Sequence, residues 1–207
     1  MVGSSLLWER KRERTRQAVI DAAVDLFRRH GYEGTTVADI AAAAEIGTRT
    51  FFSYFASKED VLFPENDARV AAVLAAIETR RPDERPVDIL LRALREANGS
   101  GTELAGPTTL LRLRLARTVP AVRGKALQMQ ADASTAIARR LRAAFPDRLD
   151  AVRAAALVGA FLGAVTGALQ VLLDEPGALD DPGRLQRRMR EATESALRPW
   201  VTATGSG

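Results

Sequence analysis

Residues 35–60, TTVADIAAAAEIGTRTFFSYFASKED, decide the fold of this chain. The pattern predicts two short helices. The first begins at a cap on Thr35 or Thr36, and the second covers residues 48–55. Residues 45–47 form the turn that joins them. A helix-turn-helix of this kind lays its second helix in the major groove of DNA, so the segment predicts a DNA-binding function.

The second helix is predicted to have one apolar face and one polar face. Phe51 and Phe55 are four residues apart and therefore share a face, as buried anchors should. Arg49 is suited to the acceptor edge of guanine, and the threonine methyl groups are suited to thymine. The side chains predicted to contact DNA are Arg16, Thr36, Thr48, Arg49, Thr50, Tyr54 and Lys58.

Contacts with DNA phosphates are predicted on both sides of this helix. The Tyr54 hydroxyl and the Lys58 ammonium are suited to phosphate oxygens, and Thr36 offers a hydroxyl and backbone N–H groups at a helix start. Residues 10–16 carry five basic side chains, ending at Arg16. This basic arm is either a solvated helix face or a contact to phosphates or the minor groove.

A simpler interpretation is a helical hairpin whose aromatic side chains form an ordinary core. The segment offers more than an aromatic stripe, because a first cap, a turn and a second helix start follow one another in register. Ser57 and Asp60, three residues apart, resemble a capping box at the start of the next helix, which is the fourth helix predicted in the chain. Pro64 is expected to kink that helix or split off its first turn. The longer pattern favours DNA binding.

The composition limits the other classes of function. The chain has 207 residues, no cysteine and one histidine, so no metal or cofactor site is predicted. Motifs for nucleophilic serine, phosphate-loop or dinucleotide chemistry are missing, which predicts a protein that is not an enzyme; carboxylate-pair chemistry is the alternative left open. The net charge of +4 does not by itself indicate DNA, because the first 60 residues carry nine basic and nine acidic side chains. The N-terminus lacks the apolar run of a signal peptide, so the expected location is cytoplasmic.

The residues around the helix-turn-helix resemble the TetR family of transcriptional regulators. The matching runs are AVIDAAVDLF at 18–27, GYEGTTVADIAAAA at 31–44 and TRTFFSYFASKEDVL at 48–62. The resemblance implies a nine-helix, all-α homodimer with an N-terminal DNA-binding domain and a C-terminal ligand-binding and dimerisation domain. It also implies a repressor that a small-molecule effector releases from a palindromic operator in double-stranded DNA. A transcriptional activator of the same fold is the alternative within the family.

Four positions depart from the pattern usual in this family. Glu45 stands in the turn where glycine is usual, and a positive φ there would cost about 1 kcal/mol. Gly47 stands where a capping serine is common, so the second helix is expected to have a weaker N-cap. Phe52 and Tyr54 stand where tyrosine and histidine are frequent. A phosphate-binding hydroxyl is therefore lost at position 52 and regained at position 54.

Helical periodicity continues through the rest of the chain without sustained strand-like alternation, which predicts an all-α protein. We expect residues 1–58 to form the helix-turn-helix domain and residues 59–200 to form the ligand-binding and dimerisation domain. Residues 201–207 are expected to be a disordered tail.

Residues 154–173, AAALVGAFLGAVTGALQVLL, carry no charge over about the length of a membrane span. The alternative that this segment raises is a non-enzymatic, membrane-associated or scaffold protein. The abundance of Ala and Gly within an otherwise amphipathic chain favours instead a buried helix at a dimer interface, without a membrane. The residues predicted at that interface are Gly159, Gly163, Gly167, Leu185 and Met189.

An effector pocket is predicted between the helices of residues 63–145 and the glycine-rich helix. Leucine and arginine interleave over residues 110–117, which indicates either an ordinary amphipathic helix or an apolar pocket with a basic mouth. The second interpretation suits an anionic, lipid-like effector, and residues 112–127, RLRLARTVPAVRGKAL, resemble the acyl-CoA-like ligand domain of some TetR regulators. The predicted lining residues are Phe63, Leu94, Leu110, Leu111, Arg114, Met129, Phe145, Phe161, Leu162 and Val165.

Overall fold

The computed structural model describes residues 2–64, 66–97, 107–175 and 181–202, and within these ranges it contains helices and no strand. The all-α prediction is therefore confirmed. The elements are α1 (Val2–His30), α2 (Val37–Ala43), α3 (Thr48–Phe52), a 3-10 turn (Glu59–Leu62), α4 (Asn66–Glu78), α5 (Pro86–Ala97), α6 (Pro107–Thr118), α7 (Pro120–Ala144), α8 (Ala151–Leu172), α9 (Pro182–Ala196) and α10 (Arg198–Thr202).

The ends of the chain differ from the prediction in two ways. The charged run that starts at Glu9 indicates a helix beginning near that residue, whereas helix α1 begins at Val2. Nine helices were predicted, and the described residues contain a tenth, α10. Pro199 has no N–H to continue α9 but fits the first turn of a new helix. Val201 and Thr202 belong to α10, and residues 203–207 of the predicted tail lie outside the described residues.

The chain divides into two compact units. The first unit comprises residues 1–64 and 107–125, which bring together α1, α2, α3, the 3-10 turn, α6 and the first six residues of α7. In this unit α2 packs against α1 and α3, and the 3-10 turn packs against α1 and α6. Its core includes Val19, Ile20, Phe27, Ile40, Phe51, Val61 and Leu62.

The second unit comprises residues 65–106 and 126–207. Helix α4 packs against α5, α8 packs against α9, and α10 contacts both α5 and α9. The core of this unit includes Ile77, Ile89, Leu90, Ile137, Leu141, Leu157, Val158, Met189 and Leu197. The functional division expected near residue 58 stays a prediction.

The segment after α3 behaves as its sequence predicts. The Ser57 N–H donates to an Asp60 carboxylate oxygen at 3.0 Å, which starts the 3-10 turn. Helix α4 begins only at Asn66, beyond Pro64. Proline thus splits the first turn from the rest of the predicted fourth helix, because it cannot donate the backbone hydrogen bond that would continue it.

Helix α8 buries one face and leaves the other open within the single chain. Its buried residues are Ala154, Leu157, Val158, Phe161, Leu169 and Leu172. The three glycines are exposed, and a Cβ built on any of them would meet no atom within 4 Å. Among the described helices, this one is long and apolar enough to cross a membrane by length and composition, and 28% of its apolar window is buried.

Candidate nucleic-acid interface

The turn between α2 and α3 is a Schellman motif with glutamate at its left-handed position. The Ile46 N–H donates to Ala41 at 2.9 Å and the Glu45 N–H donates to Ala42 at 3.1 Å, which satisfies two carbonyls at the end of α2. Glu45 has φ 55°, the one positive φ of a non-glycine residue in the described part of the chain. The strain expected at this position is therefore confirmed. The turn holds the start of α3 at a fixed angle to α2.

Helix α2 begins at a reciprocal capping box. The Asp39 N–H donates to the Thr36 hydroxyl oxygen at 3.2 Å, and the Thr36 N–H donates to the Asp39 carboxylate at 2.8 Å. The Thr36 hydroxyl also donates its proton to that carboxylate at 2.6 Å. These bonds hold the pKa of the Asp39 carboxyl below its usual range. A contact from the Thr36 hydroxyl to phosphate stays a prediction, and as a donor the hydroxyl would have to release Asp39.

The two faces of α3 are those that the sequence predicts. Phe51 is 0% exposed and Phe55 is 4% exposed, with ring centroids 5.7 Å apart. Thr48, Arg49 and Thr50 are exposed on the first turn. The N-cap is Gly47, which provides no side-chain hydrogen bond, so the weak cap is confirmed. The helix presents short polar and basic side chains at its N-terminal end, where recognition helices contact bases.

Helix α3 ends at Phe52, three residues earlier than predicted. The N–H groups of Ser53 and Tyr54 donate three residues back, to Thr50 and Phe51, which tightens the last turn. The Ser53 hydroxyl donates to the Thr50 carbonyl at 2.6 Å. Serine thus competes for a backbone acceptor and helps to end the regular helix.

The basic arm of α1 contacts Tyr54, which lies just after the end of α3. The Arg12 guanidinium lies 5.6 Å from the centroid of the Trp8 ring and 5.7 Å from that of Tyr54. Trp8 is 62% exposed, and Tyr54 is half-buried. Sequence reasoning missed this stack, because residues 42 apart are joined only by the packing of α1 on the helix-turn-helix.

Two predicted DNA contacts also brace the first unit. The Lys58 ammonium donates to the carbonyls of Tyr32 and Thr35 at 2.9 Å each and lies 3.9 Å from the Tyr32 ring centroid. Two of its three N–H groups are therefore engaged and one is left for a phosphate. The Arg16 guanidinium donates to the Pro64 carbonyl at 3.1 Å and lies 5.4 Å from the Phe55 ring centroid. Their roles toward DNA stay predictions.

The 3-10 turn gathers further contacts that the sequence did not indicate. The Tyr32 hydroxyl donates to the Glu59 carboxylate. Burial opposes ionisation of Glu59, but the hydrogen bonds from Tyr32 and Ser57 outweigh it and lower the pKa of that carboxyl. The Arg112 guanidinium donates to the Leu62 carbonyl at 3.3 Å, and Lys125 pairs with Asp60. This turn therefore connects α1, α6 and the start of α7 within the first unit.

The residues predicted to bind an effector belong to both units. Phe63, Leu110, Leu111 and Arg114 lie in the first unit, and Leu94, Met129, Phe145, Phe161, Leu162 and Val165 lie in the second. In the second unit a surface cleft of about 440 Å³ is lined by Arg80, Arg81, Pro82, Ala144, Phe145, Pro146, Asp147 and Arg148. Phe145 is the one residue common to this cleft and the predicted lining. The predicted pocket stays a prediction.

The residues predicted at a dimer interface fall into two groups. Gly159, Gly163 and Gly167 are exposed along α8. Leu185 is 3% exposed and Met189 is 0% exposed, because α9 packs against α8 of the same chain. Within the single chain, the two α9 side chains therefore belong to the α8–α9 core, and the dimer interface stays a prediction.

The chain is similar in sequence to known regulators. Residues 19–63 match the family described as bacterial regulatory proteins, tetR family. The HTH-type transcriptional regulator TcmR of Streptomyces glaucescens is 42% identical over 115 residues, which are 55% of this chain and 51% of that protein. The HTH-type transcriptional repressor LfrR of Mycolicibacterium smegmatis is 40% identical over 88 residues, covering 42% of this chain and 44% of that protein. The chain thus spans about half the length of these relatives.

Solved structures share the fold over most of the chain. Thermus thermophilus FadR, a TetR family transcriptional repressor solved in complex with lauroyl-CoA, has a TM-score of 0.51 at 24% identity; the match covers 93% of this chain and 96% of that one. A TetR-like transcriptional regulator from Rhodococcus sp. RHA1 has a TM-score of 0.51 at 20% identity, covering 91% and 96%. Residues 19–63 are therefore similar to the tetR family of bacterial regulatory proteins, and most of the chain shares the fold of these solved structures.

Proposed function

We propose that the protein is a sequence-specific, DNA-binding transcriptional regulator that acts as a repressor. The observation that carries this proposal is the first turn of α3. Thr48, Arg49 and Thr50 are exposed there, while Phe51 fixes the opposite face in the core. An exposed guanidinium between two small hydroxyl side chains fits the major groove, where Arg49 would pair with guanine.

Contacts to the DNA backbone would set the register of this helix. The Tyr54 hydroxyl, the remaining Lys58 N–H and the exposed cations Arg10, Lys11 and Arg14 are the groups best placed to bind phosphates. Arg12 would hold Tyr54 in position through the ring stack with Trp8. Phosphate contacts contribute affinity to any sequence, and base contacts supply the preference for one operator.

A homodimer would place two such helices on a palindrome. One helix of this length makes few base contacts, and two copies about one helical turn of DNA apart double them. The exposed glycine face of α8 supports this assembly, since a second helix can approach closely where no side chain intervenes. We assign the dimer contact to Gly159, Gly163 and Gly167.

A small-molecule effector would release the repressor from DNA. Leu110, Leu111 and Arg114 on α6 combine apolar surface with positive charge, which suits an anionic, lipid-like molecule. Helix α6 contacts the 3-10 turn that follows the helix-turn-helix. The protein would exist in two conformations that differ in the placement of α6, of which one binds DNA. An effector that binds the other conformation more tightly would lower the population that binds DNA, to an extent set by its difference in affinity for the two.

Two other functions are separable from this one by experiment. A transcriptional activator of the same fold would bind the same operator and raise transcription. A membrane-associated protein would use the apolar helix α8, and it would sediment with membranes rather than remain as a dimer in the cytoplasm. The activator would use the exposed first turn of α3 as a repressor does and differs only in its effect on transcription, whereas the membrane-associated protein would not use it. We propose no enzymatic activity.

Selection of bound sequences from random double-stranded DNA tests the proposal. We expect the purified protein to enrich a palindrome whose half-site centres are about 10 base pairs apart. A matched selection with Arg49→Ala should lose the preference at one base position in each half-site. Enrichment of no sequence by the wild-type protein would contradict the proposal.

A further inference from the structure

Phe52 is a large apolar side chain exposed on the recognition helix. Its side chain is 56% exposed, whereas its neighbour Phe51 is fully buried. The two rings meet edge to face, with centroids 5.4 Å apart and an angle of 87° between their planes. The buried ring thus fixes the exposed one, so that Phe52 would lose little conformational freedom when it binds a partner.

The position of Phe52 on α3 places it beside the predicted base contacts. It follows Thr48 by four residues and Arg49 by three, and residues at these spacings are neighbours on a helix surface. Thr48, Arg49 and Ser53 are exposed around it. The face proposed to enter the major groove therefore carries one aromatic ring among polar and basic side chains.

The chemistry of the major groove limits what this ring can contact. Phenylalanine has no hydroxyl, so it cannot donate a hydrogen bond to a phosphate or a base. The edges of the bases present hydrogen-bond donors and acceptors, and their one apolar group is the 5-methyl of thymine. An aromatic ring that enters the groove at this point is stabilised by covering that methyl group and is penalised by facing a polar edge.

We propose that Phe52 is a specificity-determining residue that contacts the 5-methyl group of a thymine in each half of the operator. This inference rests on the proposed function. Its consequence for the operator is specific: each half-site contains a thymine next to the base that Arg49 contacts. Arg49 and Phe52 then divide recognition between a guanine edge and a thymine methyl.

Replacement of thymine by uracil tests this contact, because it removes the methyl group and leaves the base pair intact. Each thymine of the selected operator is replaced in turn, together with its symmetry mate, and affinities are measured by fluorescence anisotropy. For the wild-type protein we expect one thymine pair whose replacement weakens binding about 15-fold, or about 4-fold per methyl group. In Phe52→Ala, the same replacement should change affinity less than 2-fold.

Two further variants separate the contact from changes in folding or DNA shape. Phe52→Gln keeps good helix propensity and should also lose the methyl dependence. Phe52→Tyr keeps the ring and should retain it. Equal methyl dependence in the wild type, Phe52→Ala and Phe52→Gln would overturn the inference, as would no dependence in the wild type. In both cases specific operator binding would still stand, whereas a failure to select any operator would overturn the proposed function as well.

Discussion

The Lys125 ammonium lies 2.6 Å from an Asp60 carboxylate oxygen and joins the second turn of α7 to the 3-10 turn that follows α3. Both side chains are partly buried, so solvent screens the pair less than a surface ion pair. Helix α7 has 25 residues and ends at Ala144. The pair thus connects the helix-turn-helix to an element that extends into the second unit.

Removal of this ion pair should destabilise the protein. We expect Lys125→Met to lower the free energy of unfolding by about 1–2 kcal/mol, because Asp60 is left partly buried without its cation. The measurement is urea unfolding followed by circular dichroism. Arg139→Met, an exposed cation later on α7, is the control and should change stability by less than about 0.5 kcal/mol. Equal effects of the two substitutions would show that the pair contributes nothing specific.

The strained turn offers a stabilising substitution. Glu45 has φ 55°, where a side chain costs about 1 kcal/mol relative to glycine. We therefore expect Glu45→Gly to raise the free energy of unfolding by about 1 kcal/mol. Glu45→Ala, which keeps a Cβ at the same φ, should not. A loss of stability in Glu45→Gly would mean that the glutamate side chain stabilises the turn by more than its backbone costs.

Base and phosphate contacts should respond differently to mutation. We expect Arg49→Ala to weaken operator binding about 10- to 100-fold and to relax the preference at one base position, with unfolding unchanged. Lys58→Met should weaken binding to all sequences alike and reduce the salt dependence of DNA affinity by about one phosphate contact. It should also lower the stability of the fold, since the Lys58 ammonium donates hydrogen bonds to two backbone carbonyls. Unchanged affinity in Arg49→Ala would refute the assignment of this side chain.

The stack on Arg12 predicts a positioning role rather than a simple charge. Arg12→Gln should weaken operator binding roughly 3- to 10-fold, because Tyr54 loses the guanidinium that fixes its ring. It should also shift tryptophan fluorescence, since Trp8 loses the same partner. Arg14→Gln removes an equal charge from the exposed arm and is the control for charge: it should weaken binding as the loss of one phosphate contact does, but leave tryptophan fluorescence unchanged. Identical affinities and spectra for the two variants would leave only a general charge effect.

Acid should destabilise the contact between Tyr32 and the 3-10 turn. Burial opposes the charge on Glu59, yet the Tyr32 and Ser57 hydrogen bonds keep the pKa of that carboxyl below its unfolded value. Its contribution to stability is therefore present above about pH 4.3 and is lost as the pH falls through the lower, folded pKa. We expect Tyr32→Phe to cost about 1 kcal/mol at pH 7 and less at pH 3. A cost that stays constant between these pH values would contradict this assignment.

The sequence predicted the helix-turn-helix closely because its signals are local. The helix cap at Thr36, the turn at Glu45 and the anchors Phe51 and Phe55 each depend on residues within one or two helical turns. Each of these features lies in the structure where its pattern predicts it. Local chemistry therefore determines this part of the fold.

Contacts between distant segments could not be predicted in the same way. The pairs Arg12–Tyr54 and Lys125–Asp60 join residues 42 and 65 positions apart, and nothing in either local pattern specifies its partner. The prediction for α9 shows a related limit. The apolar residues Leu185 and Met189 indicate that one face of α9 is buried, but they do not indicate whether the same chain or a second chain covers it. In the structure, α8 of the same chain packs against α9, and Met189 is fully buried.

Sequence-specific DNA binding is tested most simply by a fluorescence anisotropy titration on DNA tiled across the region upstream of the protein's own gene, with scrambled competitor and a salt series. We expect tight binding to a palindromic tile that survives the competitor at physiological salt and is lost in Arg49→Ala. Weak binding to every tile that disappears steeply with salt would indicate phosphate attraction alone and would contradict a sequence-specific regulator acting at this region.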